Sequence, residues 1–411
     1  METSGVAALV EDLLGTDLPI RFKFWDGGDI GPKDAPATIV VRSPDALSRI
    51  VASPGELGFA RAYVAGDIAL EGDIYAALNL RDRLPSVRLT PTQVLRAARL
   101  LGTGIRRLRP PSEELRLRGR LHSASRDSEA VSHHYDVSNA FYEMVLGPSM
   151  VYSCAVFETA QTSLEVAQET KLELVCKKLG LRPGMRLLDV GCGWGSMAIH
   201  AAKHHGVEVV GVTLSVEQAN WACERAGREG LADSVDIRVQ DYRHIADEPF
   251  DAISSIGMFE HVGIEQLGEY FERLFGLLKP GGRLLNHAIS RPPGQTPGIG
   301  HKTFVGRYVF PDAALQEVGS VTTAMQAAGF EARHMESIRE HYALTLRNWV
   351  QNLQDNWAKA VAEVGAPRAR VWMLYMSGSV LGFEDGRIGV DQVLSVRQDH
   401  GKSGMDLRLR L

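Results

Sequence analysis

Two rhythms of apolar and polar positions run along this chain. Beyond about residue 160, short apolar runs bounded by glycines or polar turns are separated by longer amphipathic stretches. "MRLLDVG", "VEVVGVTLS", "VDIRVQD", "FDAISSI" and "GRLLNHAI" read as strands, and "SMAIHAAKHH", "VEQANWACERAGREG" and "EQLGEYFERLFGLLKPGG" as helices between them. Such alternation predicts an α/β fold with a mostly parallel, doubly wound sheet covered on both faces. Upstream, residues 15–80 mix a strand-like "ATIVVRS" with helical "DALSRIVAS" and "GELGFARAYVAG", which predicts a smaller α+β domain. A further helix is expected from Thr90, with Pro91 at its first position and Val94, Leu95, Ala98, Leu101, Ile105 and Leu108 near helical spacing. "RPPSEE" breaks that pattern and the polar "HSASRDSEAVS" follows, so a boundary is expected near residue 128, dividing the chain into 1–128 and 129–411.

Charge sharpens the division. The net charge of −5 hides an acidic head, with twelve Asp/Glu against six Lys/Arg in residues 1–80. Residues 81–120 then carry eleven arginines and only Asp82, Glu113 and Glu114. A basic stretch with interspersed leucines suits an anionic membrane surface, or equally a solvated linker or an internal pairing with the acidic head. It is accompanied by no nucleic-acid module, so no nucleic-acid partner is expected. No apolar run approaches the roughly 20 residues that cross a bilayer, and the start "METSGVAALVEDLLG" lacks the pattern of a signal peptide. The four cysteines include no C-x-x-C pair, so neither a disulfide framework nor a metal site is expected. A cytoplasmic protein, touching a membrane only peripherally, fits these features.

The chemistry gathers where strands end. "LLDVGCGWGS" (187–196) joins the first predicted strand of the sheet to its helix, and Gly191, Gly193 and Gly195 allow a tight turn and close approach to a ligand. The G-x-G-x-G spacing differs from the dinucleotide fingerprint, and the second strand ends in Thr213-Leu214-Ser215 instead of an acid that would hold a nicotinamide ribose. In "SIGMFEHVG" (255–263) a carboxylate, Glu260, arrives three residues after the glycine that stops a strand. Alone, such a residue is more often a surface or ion-paired acid than a working one.

The glycine loop, "TLSVEQ" (213–218) and "QDY" (240–242) together resemble class I S-adenosylmethionine-dependent methyltransferases. That resemblance implies donor contacts from Asp189, Gly191, Cys192, Gly193 and Trp194, from Thr213, Leu214 and Gln218 on the ribose side, and from Gln240, Asp241 and Tyr242 at the adenine, with Ile256 nearby. "HHYDVSNAFYEMVLGPSMVYSCAVFE" (133–158), "SIGMFEHVG", "NHAIS" (286–290), "RYVFP" (307–311) and "EHYALTLRNW" (340–349) narrow it further. Over nearly all of residues 130–350 the chain resembles the cyclopropane-fatty-acyl-phospholipid synthase family, and "GELGFARAYVAGDIALEGDIYAALNL" is similar to the N-terminal domain of its full-length members.

The resemblance implies methyl transfer from S-adenosylmethionine to the double bond of an unsaturated phospholipid acyl chain. An isolated alkene has no acidic proton to lose beforehand. It attacks the sulfonium methyl directly, and the resulting carbocation must then lose a proton. In this family a bound bicarbonate takes it. Glu260 then has the task of accepting the bicarbonate O–H, His287 and Tyr342 match donors to its other oxygens, and main-chain groups of Cys154 and Ile289 match the remaining contacts. Tyr152 and Ser153 match further donor contacts. Of the rings that could face a cation, Tyr135, Phe141, Tyr142, Tyr152, Phe259 and Tyr308 are candidates, each as readily a packing residue. His133 and His134 resemble a family motif near the acyl site, His261 is expected to be structural, and His204–His205 a solvated helix end. Two products stay open: a cyclopropane ring, or a methylene branch that a separate reductase would convert to a methyl branch. The segment 382–404 resembles actinobacterial members. A small-molecule O- or N-methyltransferase and a non-catalytic lipid-binding protein stand as readings of other classes, and a homodimer is compatible with the sequence.

Overall fold

The computed structural model describes residues 5–80, 108–115, 137–295, 303–311 and 314–409. The helix expected from Thr90, most of the arginine-rich stretch, the boundary near residue 128, and His133, His134 and Tyr135 lie outside them. The chain forms two compact units.

The first unit comprises the described residues within Met1–Arg116, Gly300–Val309 and Trp357–Leu381. It is therefore not one continuous stretch: two pieces from beyond residue 299 complete it. Its four-stranded sheet has the order β2-β1-β3-β4, built from β1 (Arg21–Phe24), β2 (Asp29–Ile30), β3 (Ala37–Val41) and β4 (Ile68–Gly72), with β1 and β3 parallel and the other pairs antiparallel. Alternation in β3 buries Ala37, Ile39 and Val41 on one face, against Ile20, Phe22 and Phe24. The helices α1 (Gly5–Leu14), α2 (Asp45–Ala52), α3 (Glu56–Ala65) and α4 (Ile74–Leu78) accompany this sheet. Arg61 on α3 grips the nearly inaccessible carboxylate of Glu114 through two hydrogen bonds of 2.7 Å.

The second unit contains a seven-stranded sheet of order β10-β11-β9-β8-β5-β6-β7. Its elements in chain order are α5 (Asn139–Leu146), α6 (Leu164–Leu179), β5 (Arg186–Val190), α7 (Ser196–His205), β6 (Glu208–Thr213), α8 (Val216–Arg228), β7 (Val235–Val239), β8 (Phe250–Ile256), α9 (Leu267–Leu277), β9 (Leu278–Ser290), α10 (Val318–Ala327), β10 (Glu331–Ser337), α11 (Arg339–Asp355) and β11 (Gly389–Val396). Strands β5 to β9 pair in parallel, and β11 alone is reversed, between β9 and β10. The expected doubly wound sheet is thus present. One boundary differs: "LKPGG" belongs to β9, which begins at Leu278 with an irregularity in its pairing to β8, not to the preceding helix.

Two cores sandwich this sheet. On one face Leu187, Ala252, Leu285 and Leu394 pack with Val175, Cys176 and Leu179 of α6. On the other, Leu188, Ile253, Leu284 and Val393 pack with Tyr270, Phe271 and Leu274 of α9. Because side chains alternate along a strand, Asp189, Ser254, His287 and Gln392 continue the α6-facing surface toward the carboxyl ends of the parallel strands.

Candidate active site

Strand order reverses between β5 and β8, the place where open α/β sheets leave a crevice for ligands. One pocket lies there, and all fourteen residues expected to contact the donor line it. Asp189 comes from β5; Gly191, Cys192, Gly193 and Trp194 from the loop after it; Thr213, Leu214 and Gln218 from the end of β6 and the start of α8; Gln240, Asp241 and Tyr242 from the turn after β7; Ile256 from the end of β8; and Tyr152 and Ser153 from the segment after α5. Gly191 has φ +77°, and a β-carbon there would lie 3.0 Å from the Met258 side chain, so glycine is what lets these walls approach. The Thr213 hydroxyl donates to Gln218 Oε1 at 2.8 Å and holds that amide in place. Asp241 is paired with Arg243 at 2.6 Å.

The five residues expected around the bicarbonate do not line this pocket; along the chain Cys154 follows Ser153 and Glu260 falls between Met258 and His261, which do line it. Glu260 shows why a carboxylate follows the end of β8. The last ladder contact is Gly257 N–H to His287 O, 2.9 Å, after which Gly257, at φ +67°, turns the chain away. β9 runs on past the end of β8, still paired with β11 on its other edge, and its next main-chain donor on the β8 side, Ile289 N–H, is taken by Glu260 Oε1 at 2.7 Å. The expected main-chain contact of Ile289 is therefore engaged by Glu260 here. The other oxygen, Oε2, is buried with no hydrogen-bond partner among the described residues. Burial pushes this carboxyl up to about 7, with the Ile289 N–H partly opposing.

His287 is set by a buried relay. Lys178 Nζ donates to Gln392 Oε1 at 2.7 Å, which turns the Gln392 amide nitrogen toward His287 Nδ1, 3.1 Å away. Nδ1 accepts that hydrogen bond, so the ring proton resides on Nε2 and is free to be donated. Burial, reinforced by Lys171 and Lys178, lowers His287 to about 3 and keeps it neutral. β11 also pairs Val390 with Ile289, and Val390 O accepts from Ile338 N, 2.9 Å, at the entry to α11. The Cys154 thiol, held protonated by burial, lies 3.6 Å from Ile338 O, and Tyr342 follows one turn into α11. Hydrogen bonds and strand pairing thus link Glu260, Ile289 and Cys154, with His287 two residues before Ile289 on β9 and Tyr342 one turn beyond Ile338 on α11.

Aromatic rings connect Tyr342 to the pocket. Trp194 lies 4.6 Å from Tyr142, Tyr142 5.8 Å from Tyr152, Tyr152 5.4 Å from Trp349, and Trp349 6.1 Å from Tyr342. Phe141 flanks Tyr142 at 6.1 Å. Two other candidate rings go elsewhere: Phe259 packs with Tyr270 and Phe271 in the core on the opposite face, and Tyr308 belongs to the first unit, its hydroxyl 3.3 Å from Glu114. His261 lines the pocket and packs on Phe310.

Sequence reasoning passed over Lys171, Lys178 and Gln392. Lys171 is buried, lines the pocket and donates to Ser153 Oγ at 3.1 Å. The available signal was a lysine inside the apolar stripe of Leu164, Ala167, Leu172 and Val175. At the end of α7 His204 is exposed as expected, whereas His205 is half-buried and meets Glu173 at 2.9 Å, as His200 does at 3.4 Å. With Cys176 these two rings bring three potential metal-ligating atoms within 4.8 Å, a constellation the sequence did not suggest. Glu173 bridges both imidazoles.

Comparison with known proteins agrees with this geometry. The family model described as mycolic acid cyclopropane synthetase matches residues 122–393. The probable fatty acid methyltransferase Rv3720 of Mycobacterium tuberculosis is 45% identical over 403 residues, covering 95% of this chain and 94% of that protein. The cyclopropane-fatty-acyl-phospholipid synthase of Escherichia coli K12 is 33% identical over 370 residues, 88% of each chain. Among solved structures, mycolic acid cyclopropane synthase CmaA1 complexed with SAH and CTAB superposes with a TM-score of 0.61 at 34% identity, covering 65% of this chain and 97% of that one. A fold with a glycine loop at the switch point, a buried carboxylate hung on a strand end and these relatives across both units lead to one assignment: the chain belongs to the mycolic acid cyclopropane synthetase family.

Proposed function

We propose that this protein is an S-adenosylmethionine-dependent C-methyltransferase that modifies the double bond of an unsaturated phospholipid acyl chain, with hydrogencarbonate bound by Glu260, His287 and Tyr342, and that its product is a cyclopropane fatty acyl chain. When bound, the sulfonium donor supplies the methyl carbon and hydrogencarbonate supplies a proton acceptor. The pocket at the ends of β5, β6 and β8 has the glycine backbone, Gln218 and Asp241 that suit such a donor. The observation carrying the reading is the Glu260 carboxylate: Oε1 is fixed by Ile289 N–H while the buried Oε2 has no partner among the described residues. A buried acceptor of this kind is costly unless a ligand donates to it. His287, with its proton on Nε2, and the Tyr342 hydroxyl offer the complementary donors, prearranged dipoles that need no reorganisation during reaction. The rings from Trp194 to Tyr342 give positive charge an aromatic, water-poor surrounding.

No helix among the described residues is long and apolar enough to cross a membrane, so the substrate must be met at a surface. The arginines of 81–120 are the segment proposed to dock there. The test is incubation of pure protein with methyl-labelled donor and oleoyl phospholipid vesicles, with hydrogencarbonate present or stripped. Label in lipid, dependent on hydrogencarbonate, is expected, and mass spectrometry locating a ring is expected to give the cyclopropane; a methylene branch would assign the alternative product. Label confined to water-soluble compounds refutes the lipid reading.

A further inference from the structure

Away from the pocket, two helices on one face of the large sheet finish side by side. α6 and α7 share one core, to which Val175 and Leu179 contribute from the first and Ala198, Ala201 and Ala202 from the second. The loops that follow them are tied by Gly184 N–H, which donates to Gly206 O at 3.0 Å. Each leads into the amino end of a strand, β5 at Arg186 and β6 at Glu208, so these helix ends lie at the opposite end of the strands from the crevice. Four side chains meet there: Glu173 and Cys176, one turn apart on α6, and His200 and His205 on α7. Cys176 is fully buried, His200 nearly so, and His205 and Glu173 reach solvent in part. One atom each from Cys176, His200 and His205 lies within 4.8 Å of the other two. Glu173 Oε2 stands 3.4 Å from His200 Nε2 and 2.9 Å from His205 Nε2. Among the described residues no other group of three such atoms converges this closely.

We infer that Glu173, Cys176, His200 and His205 form a structural site for a zinc ion, with one thiolate, two imidazoles and one carboxylate around it. The site is separate from the proposed reaction and stands whether or not that reading holds. Zinc bonds of about 2.3 Å to sulfur and about 2.0 Å to nitrogen or oxygen set tetrahedral ligand atoms roughly 3.3–3.6 Å apart. The two carboxylate–imidazole spacings already bracket the lower value. The thiol and the rings have at most about 1.5 Å to close, which side-chain rotation supplies. Thiolate, imidazole and carboxylate are the ligands zinc takes, and four protein groups fill its tetrahedron, as structural sites require. Both helices also point their carbonyl ends here, a partial negative charge that favours a cation. Lys177 Nζ, itself exposed, lies 3.8 Å from Glu173 Oε1, on the oxygen turned away from the rings. Burial raises the Cys176 thiol and lowers His200, so the metal-free cluster is a thiol beside a neutral imidazole, and zinc binding sends the thiol proton to solvent. The ion fastens to α7 the end of α6, where Lys178 begins the relay to His287.

Metal titration of the untagged full chain tests the site. Protein stripped with a chelator and titrated with zinc chloride against a chromophoric competitor should take up a single equivalent, and its unfolding midpoint should rise with zinc in excess. Cobalt in place of zinc should give visible bands of tetrahedral type and a near-ultraviolet charge-transfer band, which only a thiolate ligand produces. Cys176→Ala should abolish that band. His205→Gln, at the partly exposed end of α7, should keep the band and serves for the affinity measurement if Cys176→Ala does not fold. Each variant should weaken zinc by more than the roughly 10–100-fold lost with an outer hydrogen-bonding partner of a metal ligand. Stripped protein that takes up no zinc overturns the inference, as does a cobalt spectrum without the thiolate band. Zinc uptake unchanged in either folded variant also overturns it, since the ion would then sit on other histidines of the chain and leave Glu173 with its two rings as a hydrogen-bonded cluster alone.

Discussion

Replacing Glu260 by glutamine should weaken the enzyme and strengthen the protein, and the two effects have different pH dependences. Burial lifts the Glu260 carboxyl from an ordinary 4.5 to about 7. Each pKa unit corresponds to 1.36 kcal/mol, so holding this group ionised in the folded chain costs about 3 kcal/mol. The sign follows from proton counts. With the folded pKa raised, the native state keeps its proton longer than the unfolded one, so the stability associated with Glu260 is full below pH 4.5, falls as pH climbs through 7, and is flat above. Glutamine keeps a carbonyl for Ile289 N–H and cannot ionise. In thermal unfolding without hydrogencarbonate, the stability difference between Glu260→Gln and wild type should therefore grow by roughly 2–3 kcal/mol from pH 5 to pH 8, a shift of several degrees in midpoint. Taking the difference cancels titrations elsewhere, because distant sites contribute additively. Labelled-methyl transfer by the same variant should fall by roughly 10²–10³, the loss typical of a group that stabilises charge in an active site. A midpoint difference that stays constant across that pH range would refute the reasoning, since it would mean that Glu260 is not held against ionisation.

Other outcomes follow from the same geometry. Wild-type kcat/KM should rise with pH through about 7 as Glu260 ionises, and this limb should be absent from the residual activity of Glu260→Gln in a pH–rate series. Gln392→Leu removes one of the two acceptors of Lys178, leaving Glu336, and the donor to His287 Nδ1; turnover should drop roughly tenfold to a hundredfold, by analogy with groups that orient metal-binding histidines, and nitrogen-15 spectra should show His287 in mixed tautomers. Arg61→Met in the first unit leaves the Glu114 carboxylate buried and stripped of its two strongest hydrogen bonds, and should lower that unit's stability by about 3–5 kcal/mol in denaturant titration.

Much of this could be read from the residues in order. The strands around "LLDVGCGWGS" and "FDAISSI" announce themselves by short apolar runs between turn residues, and the ligand-facing positions sit at strand ends, where sequence motif and spatial position coincide. What escaped depends on distant pairing. Residues 357–381 are helical, but nothing in their sequence says which core receives them, so their membership of the first unit had no local signal. Gln392 lies in "VDQVLSV", a strand buried on both faces, whose polar residues therefore look like solvent-facing ones until β9 and α6 are seen on either side. Lys171 resembles any helical lysine unless the stripe around it is counted. Glu260 raised suspicion by position, yet its anchor, Ile289 N–H, lies 29 residues onward and was expected to serve another contact.

Gly257 is where this arrangement acquires its rigidity. By ending β8 one rung before its neighbour ends, it hands a hydrogen-bonding group of the sheet to a side chain, so the acid's coordinates are those of the sheet itself and carry none of a loop's slack. Under the proposed function, surrounding helices could be reshaped without moving the Glu260 carboxylate, because its anchor belongs to the sheet and not to them.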